Sequence, residues 1–434
     1  MQHSHEALDR PGGFAGSGLL SPLRQRDFRV LWAGMAVSLV GDGVFLIAVA
    51  WESYALWNAP TALSIVGIAM TVPTVVFLLV GGVLSDRHDR RRLMLWADFV
   101  RAGAVACLAV LVFAGALRLW ELVALVAVYG SGTAFFTPAF EAIVPDLLPA
   151  RDLAAANSLD QLVRPIALRL VGPLLGGALV AAGAGLAFAV DAASFGASAL
   201  AVLAMRPTAR VADRHVSHTL AVREGLRFIS HRVWLWGTLA AAAAAYLVFL
   251  GPSEVLLPYM VKNELNASAG SLGLVFAAGG VGAVGAAVWM GQRGHPRRDV
   301  TLMYLTWTLA TLAIAGYGIA SAAWQLMLAC LVFNALETAG TIVWATIKQR
   351  HVPSTMLGRV SSLDWLISIG LLPVSFALTA PVAGVLGVRS TLVGAGLVGA
   401  AVTLAALFLP GMRDIEASRA PRGAAGRVPK WAAR

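Results

Sequence analysis

The stretch GGVLSDRHDRRRLM, residues 81–94, places six charges (Asp86, Arg87, Asp89, Arg90, Arg91 and Arg92) within seven residues. The run before it, 62–80, carries none, and another long apolar run follows. An uncharged run of about 20 residues is the length a helix needs to cross hydrocarbon. The charged stretch therefore reads as a tight turn at a membrane surface, joining two crossings of opposite direction.

The same alternation runs through the whole chain. Only 13% of the 434 residues are charged and 58% are hydrophobic, where soluble domains carry about 25% charged residues. Apolar runs predict twelve crossings, at 28–50, 63–85, 94–116, 121–145, 157–182, 184–205, 234–258, 270–291, 300–321, 323–346, 360–383 and 386–409. The fold class expected is an all-α integral membrane protein of two pseudo-symmetric six-helix bundles. The longest polar interruption, 206–233, sets the division: an N-terminal segment 1–27, a bundle 28–205, a central loop 206–233, a second bundle 234–409, and a tail 410–434. The tail, rich in Ala, Gly, Arg and Pro, reads as disordered.

Charge gives the orientation. The net charge is +10, and the basic residues gather in alternate loops. Twenty-seven of the 33 lie in the termini, the central loop and the loops on that same side. Arg118, Lys262 and Arg389 fall on the other side, and Arg101, Arg164 and Arg169 within spans. Basic loops stay in the cytoplasm, so both termini are expected there, in a multi-pass protein of the inner (cytoplasmic) membrane. Nucleic acid is excluded as a partner because the basic residues are spread over many loops instead of forming one face.

Enzyme chemistry finds no support. The chain has three lysines, Lys262, Lys348 and Lys430, and none follows a glycine, as a phosphate-binding loop requires. Gly280-x-Gly282-x-x-Gly285 matches a dinucleotide pattern but lies inside an apolar run, where glycines serve helix packing. No H-E-x-x-H pair occurs, and Cys107 and Cys330 lie far apart in apolar runs. Neither cofactor nor metal is expected. The partners expected are a small-molecule substrate, protons and the bilayer, with the chain functional as a monomer.

Within the opening stretch, Gly81 and Gly82 let two helices approach closely. Arg90, held between Asp86 and a neighbouring helix end, forms a charge-assisted contact able to latch one conformation. Asp98, Arg101 and Asp364, near the cytoplasmic ends of spans three and eleven, are expected to join it. Gly82-Val-Leu84-Ser-Asp86-Arg87-x-x-Arg90-Arg91 resembles the signature loop of the major facilitator superfamily, and "DRHDRR" resembles its macrolide-efflux-like branch. Asp89 stands where the general pattern has glycine, a substitution compatible with a left-handed turn. "RDFRVLWAGMAVSLVGDG", "GTAFFTPAFEAIVPDLLP" and "LGRVSSL" resemble the same branch, so the likeness covers residues 26 to 410. In the fifth span, Gly172-Pro173-x-x-Gly176-Gly177 resembles the motif of drug–proton antiporters. Physically, Pro173 removes a backbone bond and the glycines permit tight packing. Many members of the family carry an arginine in the fourth span where this chain has Tyr129.

Ionisable groups inside hydrocarbon are costly and mark functional positions. Asp42 in the first span and Glu337 in the tenth are at mid-depth, and Glu141 lies in the fourth; these are the proton-coupling candidates. Asp191 and Glu254, nearer the span ends, rank lower. The resemblance implies a secondary transporter that exports amphipathic small molecules, antibiotic, macrolide-like or siderophore-like, by proton antiport. The alternatives are an importer or lipid flippase of the same fold, and a transport-dead sensor or scaffold.

Overall fold

The computed structural model describes residues 20–206, 218–292 and 298–417. Among the described residues there is no strand. Among these residues, twelve helices are long and apolar enough to cross a membrane. The first six are Arg26–Leu56, Pro60–Leu78, Arg90–Phe113, Leu119–Leu147, Arg151–Ala182 and Ala184–Ala204. The second six are Val233–Glu264, Ala269–Gln292, Asp299–Ile319, Ala323–His351, Arg359–Leu386 and Val388–Leu407. The expected crossings each fall on one of these. They are called the first to twelfth spans below.

The chain forms two compact units, Met1–Arg214 with Val261–Gly280, and His215–Met260 with Val281–Arg434. The sequence division placed residues 261–280 in the second bundle; they pack with the first. The reason is a set of small residues. A Cβ on Gly273 would strike the Pro173 carbonyl, and one on Gly280 the Arg169 carbonyl, so these backbones are in contact with the fifth span. Close approach of this kind replaces the hydrophobic drive that lipid removes.

In the first unit, Leu31, Met35, Met94, Ala97 and Phe140 are among the buried residues of a core between the first, third and fourth spans. The second span, whose helix runs on from Pro60 to Arg87, packs on the fourth at Gly130 and Gly81, where side chains would collide with the Met70 and Ala134 carbonyls. Asp89 does not take a left-handed conformation. Its φ is −64°, and its side chain caps the third span by accepting from the Arg91 and Arg92 amides at 2.9 and 3.4 Å. An aspartate is favoured at that position because it satisfies orphan helix amides.

In the second unit, Trp234, Leu235, Tyr304, Ile347 and Met412 are buried together. Two polar segments are more ordered than their composition suggests. Part of the expected central loop, His218–Ser230, is helical. Its Ile229 joins the core, and its Glu224 pairs with Arg359. Of the expected disordered tail, residues 410–417 are described: Met412 is fully buried, and Glu416 accepts from the Thr301 amide and hydroxyl at 2.7 and 2.8 Å. Residues 418–434 lie outside the described set.

Candidate functional site

Asp42 is flanked by two glycines, and the flanks explain its surroundings. A side chain on Gly41 would collide with Ser194 and Asp191 of the sixth span. One on Gly43 would come within 2.9 Å of Gly172 Cα and 3.0 Å of the Ala167 carbonyl of the fifth. The first span is thus thinned on both sides of its carboxylate, and two neighbours close in at that level. Tyr129 of the fourth span donates its hydroxyl to Asp42 Oδ1 at 2.6 Å. Its ring stacks on Phe45 at 4.3 Å and meets Phe195 edge-on at 6.0 Å.

Beside this pair stands a second one. Arg101 donates to Asp98 Oδ1 at 2.5 Å, one helical turn away on the third span. Neither reaches the latch region. Asp98 is 0% exposed and Arg101 3%, and the guanidinium lies between the Phe136 and Phe195 rings, 4.3 and 4.4 Å from their centroids. Gly132 makes room for it, since a Cβ there would crowd Arg101 Cγ at 2.7 Å. Asp191, also 0% exposed, accepts from the Ser194 hydroxyl at 3.2 Å. Asp191 Oδ2 and Arg101 Nε have no hydrogen-bond partner among the described atoms. Asp42, Asp191 and Arg101 act on one another electrostatically. Three carboxyl groups, Asp42 half-buried and Asp98 and Asp191 fully buried, therefore act with the Arg101 guanidinium, and Arg164 acts on Asp42 as well. With all of them ionised the set holds surplus negative charge, and buried charge without a counter-ion is strongly unfavourable.

The other proton-coupling candidates lie elsewhere. Glu141 is exposed at the surface of its unit and acts electrostatically with Arg164 and Asp160. Glu254 is likewise exposed. Glu337 lines a recess in the second unit, walled by Tyr246, Phe249, Tyr304, Trp307 and Phe333. The recess encloses about 460 Å³ of empty space, counting the part open at its mouth. Glu337 Oε1 accepts from Thr341 at 3.0 Å.

At the opening stretch, Arg90 pairs with Asp146 of the fourth span at 2.6 Å and donates to the Ala142 carbonyl at 2.9 Å. Arg91 ties the third span to the end of the sixth through the Val202 and Leu203 carbonyls at 2.9 and 2.6 Å. The side chains of Asp86 and Arg87, and the surroundings of Gly82, lie outside the described set. Asp364 belongs to the second unit, where it accepts from Lys348 at 2.5 Å and from the Trp344 indole at 3.0 Å.

The antiporter-like motif follows a π-helical turn, Ile166–Val171, after which Gly172–Ala182 resumes as α-helix with Pro173 in its first turn. Gly172 and Gly176, four residues apart, share a face and meet Gly43 and Val44 of the first span. Gly177 faces Gly270 and Gly273 of the eighth.

Two residues carry more of this site than the sequence suggested. Asp191 ranked low for its place near a span end, and Arg101 was assigned to the surface latch. The available signal was spacing: Asp98 and Arg101 are three apart, as are Asp191 and Ser194, which puts each pair on one helix face.

The sequence profile of a family described as transmembrane secretion effector matches residues 17–425. The chain is similar to macrolide efflux protein A of Streptococcus pyogenes, with 24% identity over 83% of this chain and 90% of that protein. It is similar to the multidrug efflux pump Tap of Mycobacterium bovis (strain BCG / Pasteur 1173P2), with 27% identity over 90% of this chain and 94% of the pump. Among solved structures, a bacterial homologue of the iron transporter ferroportin in its inward-facing state shares the fold. Its TM-score is 0.61 at 17% identity, covering 90% of this chain and 99% of that one.

Proposed function

The chain belongs to the transmembrane secretion effector family of the major facilitator superfamily, and on that premise we propose that it exports amphipathic small molecules by exchange for protons. Relatives named for macrolide and multidrug efflux support the outward direction. The observation that carries the proton coupling is the Tyr129–Asp42 hydrogen bond inside the Asp98–Arg101–Asp191 cluster.

The chemistry follows from charge balance. A carboxylate in low dielectric favours its neutral form, and a nearby guanidinium opposes that preference. Asp42 is the member of the cluster held by a neutral donor instead of a cation. It takes up a proton when the site opens to the outside and gives it up when the site opens to the cytoplasm. Tyr129 orients the carboxyl group, while Arg101 keeps the remaining acids from repelling one another. Uptake and release at one position, linked to alternating access, drive the substrate the other way. In this reading the protein resides in the cytoplasmic membrane with both termini inside and works as a monomer.

Everted membrane vesicles test the proposal. Vesicles carrying the protein should accumulate a macrolide or a lipophilic dye when energised. The uptake should collapse when nigericin removes the pH gradient and survive valinomycin in potassium medium. Uptake that ignores the pH gradient would rule out proton exchange.

A further inference from the structure

We propose that the helix His218–Ser230 and the link that follows it form a binding site for an acidic phospholipid, in the leaflet on the side of the central loop. The site is independent of what the protein transports.

Position comes first. The helix ends at Ser230, and the seventh span begins at Val233. The two linking residues, His231 and Arg232, cannot bridge more than about 10 Å, so the end of the helix lies at the membrane boundary. Its inner face is fixed to the second unit. Ile229 is buried in one core with Trp234 and Val360. Gly225 lets the helix close on the eleventh span, since a Cβ there would come within 3.2 Å of Leu363 Cδ1 and 3.4 Å of Arg359 Cβ. Arg359 also pairs with Glu224, the one acid in the helix, and cancels its charge.

What remains is basic. Among the described residues no acid pairs with Arg227 or Arg232. A helix C-terminus attracts cations on its own account, and two groups are used in that way. His231 Nδ1 lies 2.7 Å from the Arg227 carbonyl, and Arg232 Nη1 donates to the Phe228 carbonyl at 2.9 Å. The Arg232 guanidinium is further held over the Phe228 ring, 3.6 Å from its centroid. Arg227 is different: it is exposed, and its guanidinium takes no part in the capping. One arginine is thus fixed in place and the other is free to close on an anion beside it.

Two apolar side chains flank these cations where headgroups meet acyl chains. Leu226 is 53% exposed and Trp236 42%. Trp236 lies one turn into the seventh span from Arg232, and tryptophan at a membrane boundary sits at headgroup level. A soluble anion would use the arginines and leave Leu226 and Trp236 in water. An acidic phospholipid supplies both partners, a phosphate for Arg227 and Arg232 and chains for Leu226 and Trp236.

The test is equilibrium binding of tritiated phosphatidylglycerol to the delipidated full-length protein in a non-ionic detergent. The wild type should bind saturably, and neither phosphatidylcholine with the same chains nor inorganic phosphate should compete. Arg227→Gln, an exposed change, should leave the unfolding temperature unchanged and weaken binding about fivefold. Arg227→Lys should retain binding, and Arg232→Gln should weaken it. Arg92→Gln, which removes an exposed charge from the opening turn, should bind as the wild type does. Displacement by phosphate would show a soluble-anion site, displacement by phosphatidylcholine a site blind to charge, and equal weakening by Arg92→Gln a general charge effect. Each of these overturns the proposal, as does the absence of saturable binding or wild-type affinity in Arg227→Gln.

Discussion

Tyr129 and Asp42, 87 residues apart in sequence, are joined by a hydroxyl-to-carboxylate hydrogen bond of 2.6 Å between the fourth and first spans. The guanidinium beside this pair belongs to Arg101 on the third span, which is itself paired with Asp98.

Removing the donor separates orientation from chemistry. Tyr129→Phe keeps the ring packed on Phe45 and takes away the hydroxyl. Substrate-driven proton movement should slow by roughly tenfold, the worth of one hydrogen bond to a charged group, while substrate affinity stays within about twofold. Rates and affinities of the purified variant in liposomes give the answer, and an unchanged rate would return Tyr129 to a packing role.

Arg101 should matter for stability before it matters for transport. Arg101→Met leaves Asp98 buried without its cation, and breaking such a pair costs about 3–5 kcal/mol. Thermal unfolding in detergent should show a large loss for the single variant. Asp98→Asn combined with Arg101→Met should recover much of it, because two neutral groups leave no orphan charge. A double variant no better than the single one would show that the ion pair is not what the cluster depends on.

The turn that opens the sequence reading gives a third prediction. Arg90 and Asp146 are each about four-fifths buried and 2.6 Å apart, whereas the Arg92 side chain is 87% exposed. Arg90→Gln should reduce transport strongly at matched expression, and Arg92→Gln should have little effect. The exchange Arg90→Asp with Asp146→Arg should restore part of the activity, and equal tolerance of Arg90→Gln and Arg92→Gln would reduce the turn to a solvated loop.

Orientation is tested by fusions. A reporter active only outside the cytoplasm should give signal after Lys262 or Arg389 and none after Arg214 or Arg298. The opposite pattern would invert the direction in which Asp42 must take up and release its proton.

The twelve crossings were legible because hydrocarbon thickness imposes one length on every span, and the span ends moved by up to seven residues. What the sequence hid depends on packing across helices. Asp98 reads as a near-surface residue, yet the third span starts at Arg90, so eight residues of helix carry Asp98 about 12 Å inward. Residues 261–280 pack with the first unit because Gly273 and Gly280 meet the fifth span, a contact that no apolar count reveals. The helix 218–230 was hidden by its polar face, although Phe228 and Ile229 were there to anchor it. Asp42 and Glu337 were both visible as mid-span acids. Their surroundings, a polar cluster for one and an aromatic recess for the other, come only from the packing of neighbouring spans.

The most direct measurement is substrate-induced proton flux in proteoliposomes, read with a trapped pH dye, for the wild type and Asp42→Asn, alongside substrate binding to the same preparations. The account predicts that the wild type moves protons against substrate and that Asp42→Asn binds substrate while moving none. Normal proton flux through Asp42→Asn would contradict it.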